Sequence, residues 1–242
     1  MSTNERDREL SLIEHLDELR SRLFIAAIAV AATTAISFAF TEKIIAILLV
    51  PTGLTKCIAL SPTENFTTFF RVALFAGLAF AMPVILYELF KYIDPALHPH
   101  ERRYVLTLGP FVLFLFVAGM SFCYFLLLPS ALSFLINFGG SVIENQLRCS
   151  EYLSFVTMFI LGVGVVFEMP AVIYALIRVG IVKRAWLAKQ RRYVVLLVFI
   201  IGAVITPTPD PFNQTLVAIP MYLLFELGLF LGRFAESARR GA

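Results

Sequence analysis

Six apolar blocks, at about 23–40, 72–90, 104–128, 152–177, 193–205 and 215–231, alternate with polar connections along this chain. A hydrocarbon core of roughly 30 Å takes about 20 apolar residues in helical form, so the first four blocks are predicted to be membrane-crossing helices. Tyr193–Ile205, at about 1.5 Å of rise per residue, reaches only ~20 Å, and Thr215–Leu231 is also brief. The last two helices are therefore expected to be short and to thin the bilayer around them.

The connections carry their own signals. Leu12, Ile13, Leu16, Leu19 and Leu23 recur at helical spacing behind a Ser11/Glu14 capping box, so 1–22 reads as an amphipathic helix ahead of the first crossing. Ile44–Val50 is apolar but too short to cross, which places it at the interface. Ser61, Pro62 and Glu64 supply an N-cap, a proline at N1 and a capping-box acid, so a helix starts near Pro62, kinked at Pro83. Pro129–Glu151 reads as a second long connection. Asp94-Pro95 opens a turn, and Asp210-Pro211 opens the last helix.

Charge then orients the chain. Of the 20 Lys and Arg, only Lys43, Lys56, Arg71 and Arg148 fall on one set of alternate connections; the other sixteen fall on the opposite set, including the 178–192 loop. The positive-inside rule predicts N-in, C-in topology, an all-α integral membrane protein of one domain, and a cytoplasmic 1–22 segment. Composition agrees: 59% hydrophobic against 15% charged leaves no room for a soluble domain, and mean hydropathy is +0.84. Residues 1–22 lack the pattern of a cleaved signal, so the first block is expected to remain as an anchor.

Candidate chemistry is sparse. Glu168 is the one ionisable residue in Phe159–Ile177, two positions before Pro170. An acid at membrane depth marks a functional site by default; the competing reading is a neutral Glu bonded to a neighbouring helix as packing. Glu14, Asp17 and Glu18 share one helix face and invite a cationic partner, or else form a solvated face. Enzyme motifs are absent: no G-x-S-x-G, H-E-x-x-H or Walker A pattern, and His15, His98 and His100 lie outside the apolar blocks without metal-ligand spacing. No enzyme activity, metal, cofactor or nucleic-acid partner is expected. Cys57 and Cys149 both lie on the outer side by the charge pattern, which predicts a disulfide. Two unpaired thiols compete with it, since nothing in the sequence fixes their separation. Cys123 falls inside the third block.

HLDELRSRL at 15–23, SPTENF at 61–66, YIDPALHPHERR at 92–103, FEMP at 167–170 and ITPTPDPFNQTLVAIPMY at 205–222 make the chain resemble the TatC family. That family is the multispanning receptor component of the twin-arginine protein translocase, and the resemblance runs over essentially the whole chain. It implies six tilted helices in a curved wall with a concave face, in the cytoplasmic (inner) membrane. It implies binding of the twin-arginine signal peptides of folded precursors. Work with single-span TatA/TatB-type proteins and further copies of itself, driven by the proton-motive force, is also implied. Glu18 and Glu101 match the family's signal-peptide-contacting acids, Arg20 and Arg22 the basic pair after the first, Arg102 the base after the second, Tyr92 an aromatic position, and Glu168 the intramembrane acid. Thr206, Pro207 and Gln214 match positions implicated in partner-helix docking, although TPTPDP at 206–211 departs from the family's TPPD-like turn. Taken alone, Glu168 also admits a secondary transporter in which that acid titrates.

Overall fold

The computed structural model describes residues 12–53, 56–93, 99–138, 147–206 and 210–240, the side chains of 12–15, 90, 93, 99–108 and 238–240 excepted. The Ser11/Glu14 capping box, the Asp94-Pro95 turn, His98 and Pro207, and the side chains of His15, His100, Glu101 and Arg102, lie outside that description.

Most of the described residues are helical, joined by short turns, and the one strand-like pairing among them is an isolated bridge between Ile58 and Arg148. In chain order the helices are α1 (Leu12–Ala39), α2 (Thr41–Leu49), α3 (Pro62–Ile93), α4 (Pro99–Phe122), α5 (Leu128–Asn137), α6 (Cys149–Val166), α7 (Met169–Val179), α8 (Arg184–Lys189), α9 (Arg191–Ile205) and α10 (Pro211–Arg240). Among the described residues, five stretches are long and apolar enough to cross a membrane: Leu16–Ala39, Pro62–Leu89, Gly109–Asn137, Cys149–Val179 and Pro211–Ser237.

Three expectations change. First, the amphipathic segment is no separate element: α1 runs unbroken from Leu12 into the apolar block. Second, Pro129 does not open a loop. α4 passes through a π-helical turn, Cys123–Leu127, directly into α5, where Pro129 sits in the first turn and needs no N–H. Third, only one of the last two helices is short. α9 has 15 residues but α10 has 30. Pro220 interrupts one hydrogen bond without ending α10, and Asp210 caps its start by accepting from the Asn213 N–H at 2.7 Å.

Small residues set the helix spacing, as bilayer packing requires. Thr33 Oγ1 donates to the Gly77 carbonyl at 2.7 Å, and a Cβ on Gly77 would lie 2.6 Å from the Thr34 backbone. α1 and α3 thus touch backbone to backbone. Gly77→Leu is expected to push them apart and lower stability in detergent by about 3 kcal/mol, the upper end of overpacking costs. An unchanged melting temperature would show that the two helices are not held at that crossing.

The end that carries Cys57 and Cys149 is closed covalently and ionically. Cys57 and Cys149 are bridged, with Cα atoms 5.1 Å apart across 92 positions. Beside the bridge, Ile58 and Arg148 pair as neighbouring strands do: the Ile58 N–H donates to Leu147 and the Cys149 N–H to Ile58. Glu64 is the hub of this cap. Its carboxylate accepts from Arg148 Nε at 3.0 Å, from Ser150 Oγ at 2.6 Å and from the Leu60 N–H at 2.9 Å. The expected capping box is therefore modified: Ser61 Oγ accepts from the Glu64 N–H, but Glu64 reaches back to Leu60, not to the cap residue itself.

Candidate functional site

At the opposite end, three charges meet. Arg22, on α1, donates from Nη2 to Glu18 one turn earlier at 3.0 Å and from Nη1 to Glu88 on α3 at 3.1 Å. Glu88 is buried, while Glu18 and Arg22 are partly exposed. The helix periodicity explains the first contact, since residues four apart stack on one face. The antiparallel packing of α1 against α3 supplies the second. Arg20 points elsewhere, with its guanidinium 5.7 Å from the centre of the Phe24 ring, and Lys91 lies 4.5 Å from the centre of Tyr87. Tyr92 is half-buried in the last turn of α3. Asp17 is exposed beside the cluster.

Glu168 occupies a break. α6 stops at Val166 and α7 begins at Met169, with Phe167 and Glu168 forming a tightened turn between them. The Glu168 N–H donates to Val165, three residues back, and Pro170 has no N–H to continue the ladder. The residue is 7% exposed, and its Oε1 has no hydrogen-bond partner among the described residues. One turn on, Ala171 packs in a cluster with Val112 and Phe116 of α4 and Met82 and Leu86 of α3. Glu88 follows Leu86 by two positions, which turns it to the other side of α3, toward Arg22 on α1. Gly119 and Gly164 let Phe167 and the Phe116 and Met120 side chains close around the break.

Thr206, just after α9, and Gln214, on α10, which the sequence put forward for partner docking, differ in access. Thr206 is buried and donates to Gly202 on its own helix. Gln214 is partly exposed and donates to the Phe199 carbonyl, tying α10 to α9. Lower on the same pair, Arg191 forks onto Glu226 at 2.6 and 3.0 Å.

Sequence reasoning missed the role of Glu88 and the hub at Glu64. The signal for Glu88 was available: an acid inside an apolar helix needs a cation, and Arg22 stands at the matching depth of the preceding helix.

Among the described residues no group of three or more His, Cys, Asp or Glu could hold a metal. The arrangement offers carboxylates to cations at one end and an uncommitted carboxyl at depth.

Comparison with known proteins follows the same outline. Residues 14–220 match the family model described as TatC, Sec-independent protein translocase protein. The Sec-independent protein translocase protein TatC of Carboxydothermus hydrogenoformans is 36% identical over 95% of this chain and 96% of its own. That of Aquifex aeolicus is 38% identical over 96% and 98%. A solved structure described as the twin-arginine translocase receptor TatC superposes with a TM-score of 0.82 at 39% identity, covering 92% of this chain and 99% of the other.

Proposed function

The chain belongs to the TatC family, a non-enzymatic component of the Sec-independent protein translocase and a multi-pass membrane protein, and from that premise we propose that it is the translocase's signal-peptide receptor. In this reading it sits in the cytoplasmic (inner) membrane, N-in and C-in, with α9 as a sixth, short crossing and the helices forming a curved wall. It recognises the paired arginines of folded precursors at the inner end of α1 and exports them with single-span TatA/TatB-type partners and further copies of itself, driven by the proton-motive force.

The observation that carries the reading is the likeness, over 92% of this chain, to a solved protein described as a twin-arginine translocase receptor. The concentration of basic residues in alternate connections supports the orientation. So does the bridge at Cys57–Cys149: the two crossings it encloses leave both thiols on one face, and bridges persist in compartments outside the cytoplasm. In the proposed site Glu18 and Glu101 each take one guanidinium, whose planar fork matches a carboxylate as an ammonium does not. Arg20, Arg22, Tyr92 and Arg102 border that surface, and Glu168 meets the peptide's deeper, apolar part. Thr206, Pro207 and Gln214 mark the docking edge for partner helices.

Binding of synthetic peptides to the full chain in detergent tests the assignment. Glu18→Ala and Glu101→Ala should each weaken an Arg-Arg peptide roughly tenfold, the size of one charged hydrogen bond, and a Lys-Lys control much less. Equal losses for both peptides would reduce the two acids to a scaffold.

A further inference from the structure

The inner cluster holds two carboxylates around one guanidinium. Arg20 and Lys91, the nearest described cations on the same two helices, lie against Phe24 and Tyr87. The triad is therefore one negative charge in excess.

Its two arms are unequal. Glu88 has a side chain only 8% exposed, and a buried carboxylate deprived of its cation is strongly unfavourable. Glu18 is 20% exposed and contacts Arg22 as an i, i+4 pair along one helix, a weak and exchangeable arrangement. The Arg22 Nε is buried without an acceptor among the described residues, so the guanidinium is not fully satisfied where it sits.

Building on the reading that Glu18 receives a peptide arginine, we propose that Arg22 is a tethered occupant of Glu18, anchored by Glu88, which an incoming peptide guanidinium displaces. The exchange moves one ion pair: the peptide's guanidinium replaces Nη2 at Glu18, while Nη1 stays on Glu88. The product is two acids with two guanidiniums, and the excess charge disappears. Arg22 then acts as a threshold for selectivity. A cation must outdo a guanidinium already in place, and a lysine, with a compact point charge instead of a fork, does so poorly. Glu88 is the positioning residue that keeps the competitor from following its partner.

The full chain in lipid nanodiscs, titrated with an Arg-Arg peptide bearing an apolar segment and with its Lys-Lys counterpart, tests this. Glu88→Gln frees Arg22 to settle wholly on Glu18 and should weaken the Arg-Arg peptide about threefold. Arg22→Gln combined with Glu88→Gln vacates Glu18 without stranding a buried charge. It should tighten that peptide about three- to tenfold, the worth of one partly exposed ion pair, and narrow the preference over Lys-Lys. A cluster that merely pins α1 to α3 predicts opposite behaviour, with equal or weaker binding in the double variant. Should that variant not accumulate, Arg22→Lys keeps the charge but cannot span both acids, and absence of tightening there overturns the proposal. Glu18→Gln separates the two levels. Undiminished binding overturns the receptor reading and this inference with it; diminished binding without tightening in the Arg22 variants overturns this inference alone.

Discussion

Glu168→Leu is expected to leave the protein as stable as before, or about 1–3 kcal/mol more stable, and to stop export of a twin-arginine precursor. The stability half follows from the missing partner: Oε1 is buried without a hydrogen bond among the described residues, and replacing an unsatisfied buried polar group by an apolar one removes a desolvation cost of that order. The functional half follows from placement, since a polar group kept at a helix break against its own energetic interest marks a site in use. Glu168→Gln keeps the polarity and the shape and should retain most export. The check is export of a folded reporter in cells set beside the melting temperature of each purified variant. Loss of accumulation in the leucine variant would restore a packing role for Glu168. Equal export by both would dismiss the polar spot altogether.

Removing the Cys57–Cys149 bridge is expected to be the costliest change to stability. Cys57→Ser with Cys149→Ser releases a loop of 92 positions, for which chain entropy allows about 4–5 kcal/mol, with measured losses of about 2–5. Glu64 joins the same two segments through Arg148, Ser150 and Leu60, so adding Glu64→Gln should cost more in the serine pair than in the oxidised parent. Such coupling is the mark of residues holding one joint. Denaturant melts of the four combinations measure it, and strict additivity would mean that bridge and hub act separately. Thiol labelling of denatured, unreduced protein should find one reactive cysteine, Cys123, and three after reduction.

Periodicity alone showed most of the helices, because a bilayer imposes length and apolarity on every crossing. The π-helical turn at Cys123–Leu127 was not legible, since one extra residue in a turn leaves the apolar run unchanged. Nor was the length of α10. Glu226 and Arg233 interrupt the hydropathy and suggested an end near Leu231, but Arg191 forks onto Glu226, and the 230s pack against α7 through Ala235. Pairwise contacts between distant positions were equally hidden. Glu64 looked like a local cap until Arg148, 84 positions away, arrived beside it. Glu168 was conspicuous because it breaks its surroundings twice, in charge and by the proline that follows. Read alone it also suited a transporter; membership in a translocase family removes that option, and the acid by itself could not have done so.

The bridge also imposes an order of events. Cys57 precedes α3, and Cys149 opens α6, so the covalent link encloses both α3 and the α4–α5 run. During synthesis Cys57 emerges first and waits as a lone thiol while two helices thread in opposite directions. Its mate becomes reachable only when the second of them is complete. Oxidation thus serves as a time stamp: a chain that has closed this bridge has the two enclosed crossings in place, and one in which either failed to cross would hold its two thiols on opposite sides of the membrane.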